Sequence, residues 1–134
     1  ESMMATFHRF QDIEAWQKAR VLTREVYEAS KCGPFAKDFG LRDQICRSAV
    51  SVMANIAEGF GREGRREFLQ FLSNAKGSAS ETQSHLCVAI GQNYISEEKG
   101  QRLMALADEI VRMITGLMKY LRRTDIDGAK YKND

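Results

Sequence analysis

The sequence has little of what marks a membrane or secreted protein. It contains one proline, ten scattered glycines, and no apolar run near the roughly twenty residues that a membrane span needs. Its N-terminus has no basic segment followed by an apolar one, so no signal peptide is predicted. A cytoplasmic protein with no membrane partner is therefore expected.

Residues that bind metals or form disulfides are also scarce. The three cysteines, Cys32, Cys46 and Cys87, are odd in number, far apart and without a CxxC pair. Only His8 and His85 are present to complete a ligand set. Neither a zinc site nor a disulfide framework is expected, and the sequence predicts no metal and no cofactor.

No catalytic constellation is evident. His85 has no serine or cysteine partner that the sequence places for nucleophilic chemistry. Glu81 precedes it by four residues, whereas di-iron bundles use a Glu-x-x-His spacing. We therefore predict no enzymatic activity.

The charge balance is nearly even. Twenty Lys and Arg residues against eighteen Asp and Glu residues leave a formal net charge of +2. So small an excess does not indicate a nucleic-acid partner from bulk charge. Any nucleic-acid site must come from local clustering of cations.

Helical periodicity organises the chain. Apolar residues recur at intervals of three and four in four segments separated by short links, and no long stretch alternates with period two. We predict a single domain, 1–134, with helices at about 12–31, 38–60, 65–92 and 96–123 and tails at 1–11 and 124–134. Asp12 and Ser96 are the expected N-caps of the first and fourth helices. Because the links are too short for long crossovers, the predicted fold is an all-α, up-down-up-down antiparallel four-helix bundle.

The apolar positions also predict the core. Residues expected in or near it are Trp16, Ile56, Phe71, Leu72 and Ile110. They come from all four helices.

The second helix has a polar stripe opposite its apolar face. Six of its positions fall within an arc of roughly 80°; they are Gln44, Arg47, Ser51, Asn55, Glu58 and Arg62. A solvated face usually carries long Lys and Glu side chains, whereas Ser51 and Asn55 are short and poor helix formers. The stripe is therefore interpreted either as a solvated face or as a contact surface.

The third helix has a similar face of small and polar residues. It includes Asn74, Gly77, Ser78 and Glu81. A glycine inside a helix costs about 1 kcal/mol relative to alanine, so Gly77 suggests close packing against another backbone. A partner chain is one source of that backbone.

A GxGxxG pattern runs from Gly59 to Gly64 between these helices. A dinucleotide-binding loop needs such glycines directly after a strand, and here they follow a helix. The pattern is instead interpreted as a helix C-terminus in which Gly59 or Gly61 takes the left-handed conformation.

Three arginines crowd the same link. Arg62, Arg65 and Arg66 lie at the predicted start of the third helix, where the helix dipole disfavours cations and favours anions. Two interpretations stay open: phosphate or acidic side chains bind there, or the arginines pair locally with Glu63 and Glu67.

Four segments together resemble one family. They are DIEAWQKA (12–19), GLRDQICRSAVSVMANIAEGFGR (40–62), EFLQFLSNAKGSASE (67–81) and YISEE (94–98). They are similar to the 23S ribosomal RNA intervening-sequence proteins, also called four-helix bundle proteins. At Gly64 that family usually has a serine or threonine N-cap, so the start of the third helix is expected to differ here.

The resemblance implies a four-helix bundle that assembles into a ring of five and has no established enzymatic activity. A related bundle family works with a reverse transcriptase and nucleic acid. Carried over by position, the motif residues are Gln44, Arg47, Ser51, Asn55, Glu58, Gly59, Arg62, Phe68, Gly77, Ser78 and Glu81.

Two functions follow as hypotheses. The first is a non-enzymatic homo-oligomeric scaffold associated with RNA or single-stranded DNA, whose ring presents several copies of Arg62, Arg65 and Arg66. The second is a ring that serves only assembly or a protein client and binds no nucleic acid. A salt-dependent binding assay distinguishes them.

Overall fold

A computed structural model describes the backbone of residues 7–131 and the side chains of residues 7–124. It contains four α-helices: α1 (Glu14–Ser30), α2 (Phe39–Gly61), α3 (Arg65–Gly91) and α4 (Glu97–Tyr131). Two short 3-10 helices, Phe10–Asp12 and Gly33–Lys37, precede α1 and α2. Residues 7–131 contain no strand, which confirms the all-α prediction.

The helices pack in chain order around one core. α1 contacts α2, α2 contacts α3, α3 contacts α4, and α4 closes the bundle against α1. With links this short, successive helices run antiparallel. The predicted up-down-up-down four-helix bundle is confirmed.

The core is close to the predicted one. Ile56, Leu72 and Ile110 are fully buried, and Trp16 is half-buried against the core. Phe71 is also half-buried and lies at its edge. The apolar face of each helix is thus the face that the three-and-four spacing indicated.

Two of the four α-helices start at a side-chain cap. The Asp38 carboxylate accepts a 3.1 Å hydrogen bond from the Leu41 N–H and caps α2. The Ser96 hydroxyl accepts a 3.0 Å hydrogen bond from the Lys99 N–H, so Ser96 caps α4 as predicted.

The prediction for Asp12 is wrong. The N-cap of α1 is Ile13, and no side chain bonds to that cap. The Asp12 carboxylate instead accepts hydrogen bonds from the N–H groups of His8, at 2.9 Å, and Arg9, at 3.3 Å. Because Asp12 ends a 3-10 helix, its side chain reaches the unpaired N–H groups before it rather than those of α1.

The C-terminal boundary also differs from the prediction. α4 continues to Tyr131, whereas a tail was expected from residue 124. The segment has no apolar period, but it has no proline either, and extending an existing helix costs far less than nucleating one. Of the predicted tails, residues 1–6 and 132–134 lie outside the described residues.

Ion pairs join α1 to α4. Glu25 lies 2.6 Å from Arg102, and Glu109 lies 3.7 Å from Lys18.

Among the described residues, no helix is both long and apolar enough to cross a membrane.

Candidate assembly surface and arginine link

Hydroxyl groups line the seam between α2 and α3. The hydroxyl oxygens of Ser51 and Ser78 lie 2.8 Å apart across it. The Asn55 amide donates to the Ser51 carbonyl at 2.8 Å and to its hydroxyl at 3.0 Å. These three residues of the predicted polar stripes therefore have partners within one chain.

A second, deeper hydroxyl pair lies one turn away. Thr82 donates to the Ser48 hydroxyl at 2.8 Å and is equally close to the Ser78 carbonyl. Ser48 in turn donates to the Ile45 carbonyl at 3.1 Å. The sequence interpretation missed Ser48, although its position three residues before Ser51 was a usable signal.

Apart from Arg62, the C-cap of α2, the other residues of the two stripes are exposed and border this seam. We call them the α2–α3 surface: Gln44, Arg47, Glu58, Asn74, Gly77 and Glu81. The structure brings both predicted stripes to one side of the bundle, because Ser51 and Ser78 fix the register of the two helices. The surface is thus continuous across α2 and α3.

Gly77 has no packing role among the described residues. It lies inside α3, and a Cβ added there meets no atom within 4 Å. No close approach inside the bundle explains this helix-weakening residue.

His85 lies beside the α2–α3 surface with its imidazole largely covered. Its side chain is 14% exposed, and its Nε2 lies 3.8 Å from a carboxylate oxygen of Glu81. Among the described residues, the buried Nε2 has no hydrogen-bond partner. The distance to Glu81 is too long for a hydrogen bond.

The GxGxxG segment ends a helix, as predicted, but not through its glycines. α2 continues to Gly61, and the left-handed residue of the link is Glu63, with φ of 66°. The prediction that Gly59 or Gly61 takes this conformation is therefore wrong. The helix simply runs through both glycines before the chain turns.

Gly59 has a different role. It is buried, and a Cβ there would lie 2.6 Å from the Phe71 Cβ and 3.0 Å from a ring carbon of Phe68. The missing side chain lets α2 and α3 approach closely at this end of the bundle.

Arg62 is engaged within the chain. Its guanidinium donates to Glu58 at 2.7 Å, and it lies 5.1 Å from the centroid of the Phe71 ring. Both partners are on neighbouring helical turns of the α2–α3 pair. This is the local-pairing interpretation, although with Glu58 rather than Glu63 or Glu67.

The other two arginines of the link differ in exposure. Arg66 is exposed, whereas Arg65 is half-buried and takes part in interactions of its own. α3 begins without a side-chain cap at Gly64, as the departure from the family pattern indicated. The Glu67 carboxylate lies beside that glycine, 2.6 Å from where its Cβ would be, and so competes with any external anion.

Sequence and structure comparisons agree with this architecture. Residues 11–116 match the model of the family described as 23S rRNA-intervening sequence protein. A crystal structure of a protein with unknown function from the S23 ribosomal protein family of Bacteroides thetaiotaomicron is similar, with a TM-score of 0.71 and 26% identity. The match covers 78% of this chain and 98% of that chain. No curated protein matches significantly.

Proposed function

Since the chain belongs to the 23S rRNA-intervening sequence protein family, we propose that it is a non-enzymatic bundle that self-assembles through the α2–α3 surface. Gly77 carries the proposal. It is exposed inside a helix, costs about 1 kcal/mol relative to alanine, and a Cβ there would meet no atom within 4 Å among the described residues. A neighbouring copy packed against α3 supplies the missing contact.

Apolar side chains support the same surface. Val50 of α2 is 40% exposed and Val88 of α3 is 46% exposed, and these are two of the four exposed large hydrophobic residues among those described. Polar residues surround them, as at the rim of a protein interface. The proposed assembly is a ring of five copies, the number that the family resemblance implies.

Measuring the mass in solution tests self-assembly. Light scattering after size exclusion at micromolar concentration should give a mass five times that of one chain. Gly77→Tyr should reduce it to one chain, because a large ring replaces open space at the contact. Gly116→Tyr is the matched control, since Gly116 is also exposed inside a helix with nothing within 4 Å but lies on α4.

Neither variant should unfold the protein, because tyrosine favours a helix over glycine. A wild-type mass of one chain at every concentration would contradict the proposal. Equal masses for the two variants would place the contact elsewhere.

A second candidate function is that the arginine link, Arg62, Arg65 and Arg66, binds the phosphates of nucleic acid. It is favoured because Arg66 is exposed at the uncapped start of α3. It is weaker, because Glu58 pairs with Arg62 and Glu67 lies over the helix start. Arg65→Ala with Arg66→Ala should weaken RNA binding and lower its salt dependence. Unchanged affinity and salt dependence, with the mass intact, would exclude this site.

A further inference from the structure

Three cations and two aromatic rings share one side of α1, with Lys31 at its C-cap. We call this the α1 stripe: Trp16, Arg20, Arg24, Tyr27 and Lys31. At about 100° per residue the five fall within an arc of roughly 80°, and at about 1.5 Å per residue they span about 22 Å. No acidic residue lies within this arc.

The α1 stripe faces away from α4. The residues of α1 that pair with α4 are Lys18 and Glu25, which lie on a different side of the helix. Among the described residues, Arg24 and Lys31 have no ion pair and both are exposed. Bundle packing therefore does not explain these cations.

The two aromatic residues, Trp16 and Tyr27, lie on the same side of α1. They are eleven residues apart, which is a rotation of about 20° after three turns and a rise of about 16 Å. Tyr27 is 41% exposed. Trp16 is held edge-to-face against Phe10, with ring centroids 5.2 Å apart, and Arg20 lies 5.9 Å from its ring centroid.

At the level of Thr23, the edge of α2 next to the α1 stripe is apolar. The Thr23 hydroxyl reaches the Ala49 carbonyl at 3.2 Å, which sets the two helices side by side at this level. The following residue, Val50, is 40% exposed, and Met53, one turn from Ala49, is half-buried. One carboxylate lies on this side of α2: Asp43, two turns before Val50, is exposed and forms no ion pair among the described residues. Glu28 of α1 is the nearest acidic residue along that helix.

We propose that the α1 stripe binds single-stranded nucleic acid, with its cations on successive phosphates and with bases stacked on Tyr27 and Trp16. Phosphates account for Arg24 and Lys31, which have no ion pair among the described residues, and bases account for the exposed ring of Tyr27 and the half-buried ring of Trp16. A duplex has its base faces stacked inside and offers nothing to the rings. An acidic peptide would use the cations alone. With the cations on phosphates and the rings on base faces, no base edge is contacted, so binding is sequence-tolerant.

Binding at the α1 stripe does not require self-assembly. Its cations and rings lie on α1 and its C-cap, whereas the proposed contact between copies uses α2 and α3; Val50 alone borders both surfaces. In an assembly, several stripes on one strand would raise the apparent affinity. The two proposals therefore fail independently.

Trp16 is the only tryptophan, so its fluorescence reports directly on the stripe. Single-stranded oligouridylate should quench it, and the same strand paired with oligoadenylate should not. Tyr27→Ala should weaken binding by about fivefold or more, because one stacking surface is lost.

Charge variants test the cations. Arg20→Gln, Arg24→Gln and Lys31→Gln together should reduce the slope of log affinity against log salt by about 2, since three phosphate contacts are lost. The matched control changes three exposed cations on α4, namely Lys119→Gln, Arg122→Gln and Arg123→Gln. Tyr27 and the six altered cations are all exposed, and circular dichroism checks that each variant is folded.

Three results would overturn the proposal. Equal losses in the two triple variants would mean that bulk charge alone binds RNA. Equal binding of polyglutamate, with no effect of Tyr27→Ala, would assign the stripe to an acidic protein. Absence of quenching at low salt would exclude stacking on Trp16. Gly77→Tyr leaves α1 unchanged. If that variant is a single chain and its Trp16 fluorescence is still quenched, the α1 stripe binds nucleic acid without self-assembly.

Discussion

The Tyr94 hydroxyl donates a 2.9 Å hydrogen bond to the Asp38 carboxylate, which also caps α2 through the Leu41 N–H. The bond joins the link between α3 and α4 to the start of α2. Phe35 stacks on the Tyr94 ring, with centroids 5.3 Å apart. One end of the bundle is therefore closed by a polar contact and an aromatic contact on the same side chain.

Tyr94→Phe should lower the midpoint of thermal unfolding by about 3 °C, because Asp38 loses one hydrogen-bond donor while the ring stacking is kept. Tyr27→Phe is the control, since Tyr27 is exposed and donates no hydrogen bond among the described residues. Differential scanning calorimetry compares both variants with the wild type. Equal midpoints for wild type and Tyr94→Phe would show that the bond adds nothing.

The same contact predicts a dependence on alkaline pH. The hydrogen bond to Asp38, followed by burial and the charge of Asp38, raises the pKa of Tyr94 above its ordinary value of 10.0. The folded state thus favours the neutral phenol, so its stabilisation is complete below pH 10 and is lost as pH rises through the raised pKa. The difference in unfolding midpoint between wild type and Tyr94→Phe should shrink above pH 10. A constant difference would contradict this.

The seam hydroxyls should be energetically coupled. Ser51→Ala and Ser78→Ala each remove one side of the 2.8 Å contact. A double-mutant cycle by urea denaturation should give a coupling free energy of about 0.5–1.5 kcal/mol. A coupling near zero would mean that water replaces the lost hydroxyl without cost.

Gly59→Ala should destabilise the fold by about 1–3 kcal/mol, because the added methyl meets Phe71 and Phe68 in a packed region. Gly61→Ala, two residues later in the same helix, has open space and should be neutral or slightly stabilising. Chemical denaturation measures both. Equal effects would show that α2 and α3 separate readily enough to absorb the methyl group.

Asp12 should titrate below the ordinary aspartate range. Its pKa is lowered from 3.8, first because the carboxylate accepts the His8 N–H bond and then because of Arg9, while desolvation acts in the opposite direction. Its support for the turn before α1 is present above that ordinary pKa and is lost as pH falls through the lowered value. NMR of the Asp12 carboxyl measures the midpoint. A midpoint at or above 3.8 would contradict the contact.

The helices and their order were predictable because their signals are local. Apolar spacing identified the faces of all four helices, and Ser96 lies where a capping hydroxyl is needed. Asp12 shows the limit of such signals. Its carboxylate can accept hydrogen bonds either from the N–H groups before it, at His8 and Arg9, or from those of the first turn of α1. The sequence does not indicate which of the two it binds.

Side-chain partners across helices were not predictable, because they depend on the register between segments far apart in the chain. The sequence indicated polar stripes on α2 and α3 but not that Ser51 and Ser78 would meet and leave Gly77 exposed. It showed three arginines in one link, but it did not show that Arg62 pairs with Glu58 and lies over the Phe71 ring.

The sequence by itself determined the fold class, the number of helices and the family, since periodicity and motifs are written in consecutive residues. Tertiary structure alone decided what each glycine and cation does. Gly59 is required where two helices come close, whereas Gly77 meets open space. The difference lies in how close the neighbouring helix comes to each glycine. That distance depends on van der Waals packing between segments far apart in the chain, so no local pattern encodes it.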